Sequence, residues 1–128
     1  MIGITYGTFD FCHKGHINLL KRINEYCDYV IVGLSTNSFN EMKGKKSFYD
    51  YDTRHKMLAD TGLVDLIIPE NNWEQKVNDI QIYCADIFFM GSDWIGKFDF
   101  LKPYCDVVYL PRTEGISSTQ IRNNLGGN

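Results

Sequence analysis

The sequence predicts a doubly wound, five-stranded parallel α/β sheet, and three observations carry that prediction. Short apolar runs recur along the chain: Ile2 to Tyr6, Tyr29-Val-Ile-Val-Gly-Leu34, Leu66-Ile-Ile68, Ile87-Phe-Phe-Met90 and Val107-Val-Tyr-Leu110. The clearest of them is apolar without alternation, as suits a strand covered on both faces. Helical patterns lie between the runs, over about residues 13–26, 51 or 52 to 61, and 73–83, with a short one at 98–104. A last helix is expected from near Ser117 to just before Gly126-Gly127. Four of the runs also share a start, an aspartate immediately before them: Asp28, Asp65, Asp86 and Asp106. Right-handed crossovers give the strand order 3-2-1-4-5, a Rossmann-like arrangement. Ligands then bind outside the strand C-termini where the order reverses, between strands 1 and 4.

Chain-wide quantities bound the answer. The 128 residues suit one domain, 1–128, with a single well-buried core and helices on both sheet faces. No internal repeat or low-complexity linker divides it. A formal charge of −3 argues against a general nucleic-acid surface, so an anionic ligand must be held by local clusters. No run approaches the ~18 apolar residues of a membrane span, and no signal-peptide pattern opens the chain. The four scattered cysteines (Cys12, Cys27, Cys84, Cys105) read as free thiols in a reducing compartment. The expectation is a soluble cytoplasmic domain.

The stretch that organises the chain is Ile4-Thr-Tyr-Gly-Thr-Phe-Asp-Phe-Cys-His-Lys-Gly-His16. A strand passing through a glycine turn into a helix start builds an anion site from backbone N–H groups and the helix dipole. His13 and His16, three apart, point the same way over the first helical turn, and Gly15 lets a ligand approach the backbone. Two potential cations there suit a polyphosphate. The same spacing also suits a helix cap or half of a zinc site. Zinc needs further ligands; the remaining histidine is His55, between Arg54 and Lys56, and no C-x-x-C occurs. A protein-held metal is therefore not expected.

Further segments leave from the same sheet edge. The connection from Ser35 to Asp50 is long for an α/β loop and carries Lys43-Gly-Lys45-Lys46. That from Gly91 to Phe98 carries Asp93, which suits either a substrate hydroxyl or a turn cap, and Trp94, which needs a neighbour or a ligand to pack on. After the last strand comes Pro111-Arg-Thr-Glu-Gly-Ile-Ser-Ser-Thr-Gln-Ile-Arg122, where Ser117 and Gln120 form a capping box. Two helix starts and two sets of basic residues at one edge make a phosphate-rich site.

These residues carry a resemblance. Gly7-Thr-Phe-Asp10 with His13-Lys-Gly-His16, and Ile116-Ser-Ser-Thr119, resemble the cytidylyltransferase branch of the HxGH nucleotidyltransferases. Ile68-Pro-Glu70, Asn72-Trp-Glu-Gln-Lys76, Asp93-Trp94, Gly96-Lys-Phe-Asp-Phe-Leu101 and Tyr109-Leu-Pro-Arg-Thr-Glu-Gly-Ile-Ser117 are similar to the glycerol-3-phosphate cytidylyltransferase family. The resemblance spans essentially the whole chain. It implies transfer of CMP from CTP to sn-glycerol 3-phosphate, giving CDP-glycerol and pyrophosphate for teichoic-acid or capsular polymer synthesis. It also implies a homodimer and Mg2+ supplied with CTP.

By the same resemblance His13, His16, Lys43 and Arg112 are the catalytic residues. Thr8, Phe9, His13, Lys14, Gly15, His16 and Lys45 would hold CTP, together with Arg112, Thr113, Glu114, Gly115, Ile116, Ser117, Ser118 and Thr119. Lys43 and Lys76 would bind the acceptor phosphate. Asp10 would orient a histidine or stabilise the turn. Two positions depart from the family pattern: Asn37 stands where an acidic residue is expected, and Gly62 where an arginine is. A lost cation bears on acceptor affinity and identity, with Arg54 or Lys56 as candidates to compensate.

Three other readings compete: an HxGH enzyme using ATP or another small phosphorylated acceptor, a dinucleotide-binding oxidoreductase, and a non-catalytic nucleotide-binding module. The first turn lacks G-x-G-x-x-G, which disfavours the oxidoreductase. The complete set of histidines, lysines and helix-start hydroxyls disfavours the module.

Overall fold

The structure is a computed structural model that describes residues 1–111. The helix expected from Ser117, and Arg112 through Thr119 with it, lie outside the described residues. Strands β1 (Ile2–Gly7), β2 (Tyr29–Ser35), β3 (Leu66–Glu70), β4 (Ile87–Gly91) and β5 (Asp106–Leu110) form one sheet, ordered β3-β2-β1-β4-β5. Every pairing is parallel. The order and the five strands match the sequence expectation.

Strand β2 shows why its run is unbroken. Val30, Val32 and Leu34 face one side, where they pack with Leu20 and Ile23 of α1 (Lys14–Tyr26) and Leu58 of α3 (Tyr51–Asp60). Ile31 faces the other, in a second cluster with Ile4, Tyr6, Phe88 and Ile80 of α4 (Gln75–Ile82). Strand period two thus fills both faces with one continuous apolar sequence. Gly33 lies opposite Tyr6 across the β1–β2 ladder, and a Cβ there would stand 2.2 Å from the Tyr6 ring. Only glycine lets that ring lie across the sheet.

The repeated aspartates act at strand starts. Asp65 accepts the Val30 amide at 2.8 Å, and Asp86 accepts the Ile2 amide at 2.7 Å. Each carboxylate satisfies an amide within the first two residues of the neighbouring strand.

Two elements differ from expectation. The connection after β2 contains a helix, α2 (Asn37–Met42), started by Thr36, whose hydroxyl accepts the Phe39 amide at 3.1 Å. Its single wholly buried apolar residue, Phe39, leaves no periodic pattern to see. The helix expected over 98–104 is only a 3₁₀ turn, Asp99–Leu101. Gly96 in the left-handed region (φ 84°) precedes it, and Pro103, without an amide donor, prevents its extension. Among the described residues, no helix is long and apolar enough to cross a membrane.

Candidate active site

A cleft of about 520 Å³ opens at the C-terminal sheet edge, at the expected switch point between β1 and β4. The turn after β1 forms one wall and the Gly91–Trp94 segment faces it. The lysine-bearing segment after α2 and the start of α4 complete the cleft.

The wall after β1 is strained and tied down. Phe9, Phe11 and Cys12 all have positive φ (50°, 64° and 44°), costing side-chain-bearing residues ~1–3 kcal/mol each. Asp10, buried between them, accepts the amides of Phe48 at 2.6 Å and Tyr49 at 3.2 Å. The Phe11 ring packs on Phe48 and Tyr49. Of the two roles expected of Asp10, the structure shows the second: it stabilises the turn by binding it to the lysine-bearing segment.

His13 is the N-cap of α1, its Nδ1 accepting the Gly15 amide at 3.0 Å. The proton of the neutral ring is then on Nε2. The His16 ring stacks on His13, centroids 3.8 Å apart, and lies 4.8 Å from Phe9. His16 Nδ1 is buried with no partner among the described residues. Burial, the adjacent His13 and Lys45 depress its pKa to about 3; burial lowers that of His13 too. The two expected cations are thus neutral imidazoles in the free protein, because stacked and desolvated rings resist charging.

This depression has a consequence for folding. In the unfolded chain both rings titrate near ~6.5, so below that pH the unfolded state takes up protons the folded state refuses. Stability is expected to fall between pH 7 and pH 5, with His16 alone contributing about 2 kcal/mol at pH 5. Denaturant midpoints at both pH values measure it, and His16→Gln should flatten the profile. A wild-type midpoint unchanged across that range would contradict the buried neutral ring.

The other expected site residues distribute unevenly. Thr8, Phe9, His13, Gly15, His16, Lys43, Lys45 and Lys76 all line the cleft. Lys14 does not; it points outward and is exposed. Thr8 contributes little free polarity, since its hydroxyl donates to Asn40 and its carbonyl accepts from Arg54. Lys43 Nζ lies 4.5 Å from the Phe39 ring centroid and 5.7 Å from that of Trp73, and burial lowers its pKa. Trp94 packs against Phe98, and it lines the cleft beside Asp93.

The two departures and their candidate compensators lie elsewhere. Gly62 ends α3 at φ 70° and does not line the cleft. Lys56 pairs with Asp60 on the surface. Arg54, wholly buried, donates to Tyr49, Thr8 and Ser35 carbonyls and to the Asn37 side chain. It braces the cleft from behind rather than offering it a charge, and Asn37 is one of its acceptors.

Sequence reasoning gave no role to Glu70 and Trp73, which also line the cleft. Glu70 holds Lys76 Nζ at 2.7 Å in a buried ion pair. The signal was a carboxylate ending an apolar strand at the ligand edge, only six residues before a lysine.

A histidine-capped helix at the switch point of a parallel sheet, with lysines on the same cleft, suits the phosphates of a nucleotide, and the relatives of the chain are nucleotidyltransferases. The cytidylyltransferase-like family model matches residues 4–124. Glycerol-3-phosphate cytidylyltransferase of Staphylococcus aureus is 56% identical over 97% of this chain and 94% of that protein. The enzyme of the same name from Bacillus spizizenii is 57% identical over 95% of each. Among solved structures, the lipopolysaccharide core biosynthesis protein of Thermoplasma volcanium superposes with a TM-score of 0.73 at 21% identity, over 89% of this chain and 98% of that one. That likeness is one of fold. The chain belongs to the cytidylyltransferase-like family and, within it, to the glycerol-3-phosphate cytidylyltransferases.

Proposed function

We propose that the protein transfers CMP from CTP to sn-glycerol 3-phosphate, releasing pyrophosphate and CDP-glycerol. The near full-length identity with glycerol-3-phosphate cytidylyltransferases carries this reading. In the reaction an acceptor phosphate oxygen attacks the α-phosphorus, a new P–O bond forms, and the bond to the β-phosphate oxygen breaks. The acceptor is already an oxyanion, so no base is required. Catalysis then consists of placement and of neutralising charge on the equatorial and leaving oxygens.

In this reading His13 Nε2–H and the His16 ring donate to the triphosphate as charge develops, and the α1 N-terminus adds its dipole. Lys45 holds the CTP phosphates and Lys43 the acceptor phosphate, with Lys76 behind it. Arg112 through Thr119 would grip the triphosphate and the leaving pyrophosphate. Among the described residues no group of three His, Cys, Asp or Glu is arranged for a metal. Both oxygens of Asp10 already accept amides. Mg2+ would accordingly travel on the phosphate oxygens of CTP, neutralising their charge. A homodimer working in the cytoplasm, with a product destined for teichoic-acid or capsular polymers, completes the proposal.

The test is pyrophosphate release with Mg2+ and either CTP or ATP, against glycerol phosphates, phosphocholine and a sugar 1-phosphate. Turnover is expected with CTP and sn-glycerol 3-phosphate. Turnover with CTP and a different acceptor would overturn the assigned acceptor, and turnover with ATP alone the assigned nucleotide.

A further inference from the structure

Lys76 occupies an unusual place for a cation. It is the second residue of α4, where the helix dipole disfavours positive charge, and it is only 2% exposed. Its Nζ lies 4.7 Å from the ring centroid of Tyr6, 5.3 Å from Trp73 and 5.6 Å from Phe98. Glu70 closes the remaining side at 2.7 Å, itself almost completely buried. Tyr6 is fixed by its hydroxyl, which donates to Asp79 at 2.8 Å. A buried ion pair is a poor device for stability alone, since apolar residues of similar volume commonly do as well. All five side chains also line the cleft, Tyr6 and Phe98 doing so from the edge of the second apolar cluster.

Three aromatic rings and a carboxylate around one ammonium are the chemistry that recognises quaternary and substituted ammonium ligands. Here the chain's own ammonium fills that place. We propose that Lys76 is the built-in occupant of an aromatic cation cage and a specificity-determining residue. It denies the cage to acceptors that carry an ammonium group and leaves the cleft to phosphate monoesters whose remaining substituents are uncharged and hydroxyl-bearing. The acceptor clause rests on the function proposed above; the cage does not. Discrimination arises from a repulsive element as well as from attraction: a cationic acceptor meets a like charge where it would otherwise find π faces and a carboxylate. A glycerol moiety meets no such penalty, and the Lys76 charge also favours its phosphate.

The experiment uses tetramethylammonium chloride as the probe, at constant ionic strength against sodium chloride. Thermal unfolding and calorimetric titration would be run on the wild-type protein and on Lys76→Ala. Removing the side chain empties the cage and leaves Glu70 as a buried carboxylate without its cation. Lys76→Ala is therefore expected to bind tetramethylammonium at least ~10-fold more tightly than wild type and to be stabilised by it. With CTP and Mg2+, the ratio of kcat/KM for phosphocholine to that for glycerol 3-phosphate should rise by ~10–100-fold in the variant. A purely structural lysine would give neither change. Lys76→Ala/Glu70→Gln keeps the rings without an uncompensated carboxylate, and guards against failure of the single variant to fold; it should bind the probe more weakly than Lys76→Ala but more tightly than wild type. Equal probe binding by the wild type and a folded variant overturns the proposal, as does a folded double variant indifferent to the probe. Probe binding requires no turnover. A wild type inactive with CTP and glycerol 3-phosphate would thus defeat the function reading while leaving the cage standing.

Discussion

His16→Ala is expected to lower kcat by ~100-fold or more while leaving a folded protein with a KM for CTP within a few-fold of wild type. The argument rests on the state of the ring. A wholly charged imidazolium would attract the triphosphate equally before and during reaction, and its loss would appear largely in KM. The His16 ring is instead neutral, stacked at 3.8 Å on His13, and partly desolvated on the cleft wall. A neutral N–H donor held in place gains most when charge accumulates on the oxygen it faces. The loss should therefore fall on the chemical step, in single-turnover measurements as in steady state. The variant should also lose much of the acid sensitivity of folding, because alanine takes up no proton in the unfolded state. Wild-type turnover by a folded His16→Ala protein would remove the histidines from the mechanism.

Arg54→Ala is the substitution expected to damage the fold most. One guanidinium satisfies carbonyls from three segments, Thr8 after β1, Ser35 at the end of β2 and Tyr49 before α3, and also the Asn37 side chain on α2. Its removal leaves buried acceptors unpaired, at ~1–3 kcal/mol each where water cannot reach them. A total of about 4 kcal/mol, or a fall in Tm exceeding ~10 °C, is expected. Arg54→Lys should recover part of it, because an ammonium cannot span the same fork of acceptors. Differential scanning calorimetry on the pair decides the matter; a loss of only a degree or two in Arg54→Ala would mean that Arg54 is not the brace described.

How far the sequence disclosed all this depended on the range of the interaction. The sheet was legible because strand burial writes itself locally: Val30 to Leu34 is apolar throughout, and only a strand covered on both faces requires that. The His13–His16 turn was legible for the same reason, its cap and its helix lying within a few residues. The protonation state of the rings was not, because it depends on Phe9 and Lys45 closing over them. Arg54 looked like a spare cation, although its acceptors Thr8 and Ser35 lie 46 and 19 residues away. Asp10 likewise has its partners 38 and 39 residues on. Glu70 and Trp73 were visible as letters of a family pattern, but their relation to Lys76 and Lys43 exists only where the end of β3, the start of α4 and the end of α2 come together.

The strand-start carboxylates affect more than the ladder they complete. Asp65, Asp86 and Asp106 stand at the N-terminal edge of the sheet, while Lys43, Lys45 and Arg22 line the cleft at its C-terminal edge, where Glu70 offsets Lys76. A molecule with a formal charge of −3 is in this way electrically polarised along its strands. An incoming polyanion is turned as it approaches, repelled by one pole and drawn to the other, so the net charge does not govern its capture. Its arrival should slow as salt shortens the reach of that field, which is ~10 Å at 0.1 M ionic strength.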